Sequence, residues 1–152
     1  MSRCEIKKSG NDYIVSGSID ETFSQAIGEL PTFGKYAINF KALKSINSTG
    51  IREWIKLMQK LTAVQLSFLE CPKVFIDQVN MIQGFAPSNT KILSFYVPYF
   101  NESNENEKSV LLTHGKHYDD GKILDLPKVL DEKGEEMEID VVEAKYFKFI
   151  KG

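Results

Sequence analysis

The feature that most narrows the fold of this chain is an alternation of two hydrophobic periods across residues 4–100. Cys4-Glu5-Ile6-Lys7-Lys8 alternates apolar and polar side chains as a half-buried strand does. Ser9-Gly10-Asn11-Asp12 supplies turn chemistry before Tyr13-Ile14-Val15, which predicts a hairpin. The period then changes to that of a helix over about 22–30. Thr22 and Gln25 stand in capping-box spacing there, and Phe23, Ala26, Ile27 and Leu30 share a face. Pro31 and Gly34 end this helix, and a strand is expected over 35–43. A second helix is expected over 50–62, because Ile51, Trp54, Ile55, Met58 and Leu61 recur at three- and four-residue spacing. Val64–Leu69 reads as a strand. Pro72 opens a third helix with the stripe Val74, Phe75, Val79, Ile82 and Phe85, closed by Gly84 and Pro87, and Lys91–Phe100 reads as one further strand. Strands alternating with helices call for an α/β fold with a mixed sheet of about five strands, mostly parallel after its first hairpin.

Charge separates this region from the rest of the chain. Residues 1–100 carry 11 Lys+Arg against 8 Asp+Glu, a balance of +3, whereas residues 101–152 carry 8 against 13, a balance of −5. Residues 1–100 are therefore expected to form the main domain, and 101–152 a small, acidic, β-rich C-terminal extension. The overall charge of −2 gives no basic stripe for a nucleic-acid backbone. Apolar runs such as Ile92–Val97 fall far short of the roughly 20 residues that cross a bilayer, so no membrane insertion is expected. Cys4 and Cys71 are too few for a disulfide framework and read as buried free thiols. A cytoplasmic location is the expectation, as the N-terminus has no apolar signal-peptide core.

The junction between strand and second helix carries the most chemistry. Phe40 to Ile51 passes from apolar residues through Asn47-Ser48-Thr49-Gly50 into the amphipathic stripe. Asn, Ser, Thr and Gly are favoured at helix N-caps, so the two hydroxyls sit at the positive helix end, where they either cap the helix or accept a phosphate. Arg52, Glu53, Lys56, Gln59 and Lys60 fall on the outward face beside them.

Val15-Ser16-Gly17-Ser18-Ile19-Asp20, then Ile38-Asn39-Phe40, then Ile46-Asn47-Ser48-Thr49-Gly50-Ile51 resembles the signature of STAS domains, the family of the bacterial anti-sigma factor antagonists. The resemblance covers roughly residues 4–100. It implies a non-catalytic protein-interaction module with no cofactor and no metal, whose partner is an anti-sigma factor or a serine/threonine kinase-like regulator. It further implies that Ser48 or Thr49 is the phosphoacceptor, and that Asn47, Gly50, Arg52, Glu53 and Lys56 meet the partner. The chain departs from the family at Asn47, where an Asp is usual, and at Asn39, where an Asp often closes the third strand. Asn caps and hydrogen-bonds equally well but removes the carboxylate charge. The tail resembles a zinc ribbon without its cysteines: Asn101, Asn104, Leu130 and Lys133 stand at the ligand positions. Two further functions are compatible with the same residues: a constitutive scaffold or transporter-associated subunit without phosphorylation, and a small-ligand site at the strand ends near Gly17 and Asn47.

Other chemistry is sparse. Ser48 has no Gly-x-Ser-x-Gly elbow, and glycine-rich phosphate loops are absent, so no enzyme is expected. His114 and His117, near Asp119 and Asp120, read as an exposed polar loop, and Asp131–Glu136 as a solvated turn. Trp54 faces either the sheet or a partner.

Overall fold

The computed structural model describes residues 4–27 and 30–151. The molecule is mixed α/β. A five-stranded sheet runs in the order β1 (Glu5–Ser9), β2 (Asp12–Ile19), β3 (Phe33–Ile46), β4 (Ala63–Leu69), β5 (Thr90–Ile92). Only the β1–β2 hairpin is antiparallel, and the remaining pairs are parallel. The helices α1 (Phe23–Ala26), α2 (Ser48–Lys60) and α3 (Lys73–Met81) connect successive parallel strands.

Strand burial alternates as a one-sided sheet requires. Val15, Gly17 and Ile19, then Tyr36, Ile38 and Phe40, then Val64, Leu66 and Phe68 are buried, and their neighbours within the strands are not. The buried face meets all three helices in one aromatic core. Trp54 is fully buried and lies 5.5–5.9 Å, ring centre to ring centre, from Phe23, Phe40, Phe68, Phe75 and Phe85. Its indole N–H donates to the Phe85 carbonyl at 2.7 Å, which satisfies the one polar atom that burial would strand. Trp54 is therefore a core residue and presents nothing to a partner.

The third strand is longer than its apolar residues suggest. It covers 14 residues because its first half pairs with β4 from Phe33 to Asn39 and its second half with β2 from Ile38 to Ile46. Lys44, Ser45 and Ile46, beyond the strand end expected at Leu43, are strand residues, and Asn39 lies mid-strand. The first helix is shorter than expected. Of its predicted span 22–30, Phe23–Ala26 is helical, while 28 and 29 lie outside the described residues. The Thr22 side chain makes no cap bond: its hydroxyl donates to Asp20 and accepts from the Cys4 N–H at 3.1 Å, and the Asp20 carboxylate also accepts from the Thr22 N–H at 2.8 Å.

The segment 91–100 is two strands rather than one. At Leu93 the chain leaves the first sheet, and β6 (Ser94–Phe100) becomes the central strand of a second, antiparallel sheet with β7 (Glu107–Thr113) and β8 (Glu138–Ile139). Phe95 packs there against Tyr118, Tyr146, Phe147 and Phe149. Two short helices, α4 (Glu143–Tyr146) and α5 (Lys148–Lys151), close the chain against α3. Asn80 on α3 fastens them, donating to the Tyr146 carbonyl at 2.9 Å and accepting from the Phe149 N–H at 3.0 Å. Among the described residues no helix is long and apolar enough to cross a membrane.

Candidate functional site

The site is the N-terminal turn of α2 where it meets the ends of β2 and β3. Asn47 is extended, and its side-chain oxygen accepts from the Gly50 N–H at 2.8 Å, a standard cap on the third helical residue. The capping role open to Ser48 and Thr49 thus belongs to Asn47, and the two hydroxyl residues are the first two residues of the helix. Both are exposed, and neither hydroxyl has a hydrogen-bond partner among the described residues.

Gly50 is buried for a steric reason. A Cβ built on it would lie 1.9 Å from the Ile19 carbonyl oxygen. The helix therefore starts directly against the end of β2, and the Asn47 N–H donating to the same Ile19 carbonyl at 3.1 Å locks that approach. Just outside, the Ser18 and Ser45 hydroxyls share a hydrogen bond of 2.6 Å between the two strand ends.

The charge missing at position 47 is brought by another element. The Asn47 amide N–H donates to a carboxylate oxygen of Glu21 at 3.1 Å, so a negative group does stand beside the helix start. Reading position 47 alone misses it. The only sequence signal for Glu21 is its place in the Asp20-Glu21-Thr22 run that enters α1.

Along α2, Arg52 and Lys56 are exposed and Glu53 is half-buried, with the Lys56 ammonium 3.3 Å from the Glu53 carboxylate. A groove of about 520 Å³ separates α1 from α2, lined by Ser24 and Ile27 on one side and by Glu53, Lys56, Leu57 and Lys60 on the other. Asn47, Ser48, Thr49, Arg52, Glu53 and Lys56 thus form one continuous helix start and flank, with Gly50 buried beneath them.

The other sites marked in the sequence are structural. Cys4 and Cys71 are buried thiols. Burial, with help from the Asp20 and Glu5 charges, pushes Cys4 up to about 11, and full burial holds Cys71 well above the ordinary thiol range, so neither is a thiolate near neutrality. His114 and His117 do not form an exposed loop. His117 is buried, and its Nδ1 accepts from the Thr113 N–H at 2.9 Å, an arrangement that needs the neutral ring; desolvation first, then Lys116, lowers its affinity for a proton. His114 meets Asp120 at 2.9 Å. Among the described residues no three His, Cys, Asp or Glu side chains are placed to hold a metal ion.

The acidic turn is likewise engaged rather than merely solvated. Asn101 and Asn104 each donate to Asp131 and Glu135, at 2.9 and 2.9 Å from Asn101 and at 2.7 and 3.2 Å from Asn104. The side-chain oxygens of both asparagines are turned the other way, accepting from the backbone of Ser103 and Asn106. Two amides and two carboxylates therefore clamp the turn after β6 to the turn at 131–135. Leu130 and Lys133 take no side-chain part in it.

Comparison with known proteins returns no match: no family model, no curated protein and no solved structure matches this chain.

Proposed function

We propose that this protein is a non-catalytic regulatory interaction module of the anti-sigma factor antagonist kind, acting in the bacterial cytoplasm. Its docking surface is the Asn47–Glu53 turn with the flank of α2 through Lys56, and phosphorylation of Ser48 or Thr49 switches it. The observation that carries this reading is the division of labour at the helix start: Asn47 caps, so both hydroxyls are exposed and unengaged. A helix whose cap were itself the acceptor would lose about 1 kcal/mol on modification; here the acceptor is spare. A phosphate at either position adds about −1.5 to −2 charge beside the free N–H groups of the first helical turn, with Arg52 one turn further on. Glu21 acts in the opposite sense, repelling that charge. The fold tolerates the modification, and a docked partner, which must desolvate the same surface, does not.

The test is capture of a regulator from the native cell by the immobilised wild-type chain and by Ser48→Asp and Thr49→Asp, alongside mass spectrometry of the native protein. Phosphate on residue 48 or 49, and partner binding weakened at least tenfold in the matching variant with its melting temperature unchanged, is the expected result. Equal capture by both variants together with absence of phosphate overturns the switch.

A further inference from the structure

A second site, independent of α2, is written in the backbone of the edge strand β5. In the parallel pairing of β4 with β5, the Leu66 N–H donates to the Asn89 carbonyl and the Leu93 N–H to the Phe68 carbonyl. The odd-numbered residues therefore turn their backbone groups toward β4, and Thr90 and Ile92 turn theirs outward. Two of these four outward groups are occupied: the Thr90 N–H donates to the Pro87 carbonyl at 2.9 Å, and the Ile92 carbonyl accepts from the buried Tyr118 hydroxyl at 2.6 Å. The Thr90 carbonyl and the Ile92 N–H have no partner among the described residues.

Thr90 and Ile92 both line a cleft of about 390 Å³ on this side of the strand. Its walls are apolar side chains of α3, of the loop before β5 and of α5, among them Val79, Ala86 and Phe149, and its rim carries Lys91, Asp120 and Lys151. Lys91 pairs with Asp120 at 3.2 Å. An acceptor and a donor flanking one residue of an edge strand match the N–H and C=O of one extended residue laid beside it. Because Tyr118 already holds the next carbonyl, pairing stops after that residue, and a long added strand does not fit.

We infer that this cleft binds a short extended peptide, which adds one residue to the edge of β5 through the Thr90 carbonyl and the Ile92 N–H and places an apolar side chain against Val79 and Phe149. The cleft's mixed lining, apolar at Val79, Ala86 and Phe149 and polar at Thr90, Tyr118 and Asp119, suits a peptide, whose backbone is polar and whose side chain here is apolar.

The experiment is a ¹H–¹⁵N titration of the full chain with N-acetyl-trileucine amide and with the same peptide methylated on its central nitrogen. The expected result is a saturable shift of the Ile92 amide with the first peptide, and binding weaker by roughly tenfold or more with the second, since methylation removes the donor to Thr90. Ala86→Leu, which fills the cleft, is expected to abolish the shift without unfolding the chain. If that variant fails to fold, the pair of peptides still decides. An unperturbed Ile92 amide, or equal binding of the methylated peptide, overturns the proposal.

Discussion

At the scale of single residues, position 50 admits no side chain. Glycines such as Gly10, Gly34 and Gly84 have open space around them and are glycine for their positive φ, whereas Gly50 sits where any Cβ meets the Ile19 backbone. Gly50→Ala is expected to cost about 3 kcal/mol or more, because backbone is what must move. Asn47→Ala removes a cap and is expected to cost about 1 kcal/mol, a fall of about 2–4 °C in melting temperature. Urea denaturation of the two variants checks the order, and a larger loss in Asn47→Ala would contradict it. Both residues are legible in the sequence as members of a helix-start cluster. Which of four capping-competent residues caps is not, since Asn47, Ser48, Thr49 and Gly50 all qualify by chemistry and only the close approach to Ile19 decides. Glu21 is illegible for a different reason: it meets Asn47 across 26 residues of chain, and no periodicity reports such a pairing.

Among elements, the clamp of the turns at 101–104 and 131–135 has a pH signature. The amide of Asn104 first, then the backbone N–H of Glu135, the amide of Asn101 and the backbone N–H of Lys133, hold the Asp131 carboxyl well below the ordinary carboxylate range. A carboxylate depressed in the folded state stabilises fully above its unfolded pKa of about 3.9, and that contribution is lost as pH falls below it toward the folded value. Asp131→Asn is therefore expected to be less stable than wild type at neutral pH, with the gap closing below about pH 4. Thermal melts between about pH 6 and 2 measure it, and a gap that is constant across the range would exclude the clamp as its cause. The alternation of strands and helices that frames these elements is readable from period alone. The break at Leu93 is not: within Lys91–Phe100, after Lys91 itself, only Ser94 departs from the apolar and aromatic pattern before Pro98, a single small polar residue does not mark a strand end, and tertiary pairing splits the run between two sheets. The capping box expected from Thr22 and Gln25 does not form, since the Thr22 hydroxyl is engaged with Asp20 and the Cys4 N–H instead.

For the whole molecule, the partition of side chains is the simplest organising fact. One face of the five-stranded sheet carries the three helices and the aromatic core, the second sheet is joined to it through Leu93, and Asn80 ties the chain's last turns back onto α3. The two proposed contact surfaces lie on different elements, the start of α2 and the edge of β5, so occupation of one leaves the other open. The long third strand has a kinetic meaning. Its two halves belong to different pairings, and only Ile38 and Asn39 take part in both. Local opening that frays the outer strands leaves this crossing point intact, whereas its own opening disconnects the sheet. Native-state hydrogen exchange is expected to find the amides around Ile38 and Asn39 among the slowest in the protein, exchanging only through global unfolding, and those of β1 and β5 well ahead of them. Residues 38 and 39, held by a strand on either side, are then the hinge pin whose protection reports on both pairings at once.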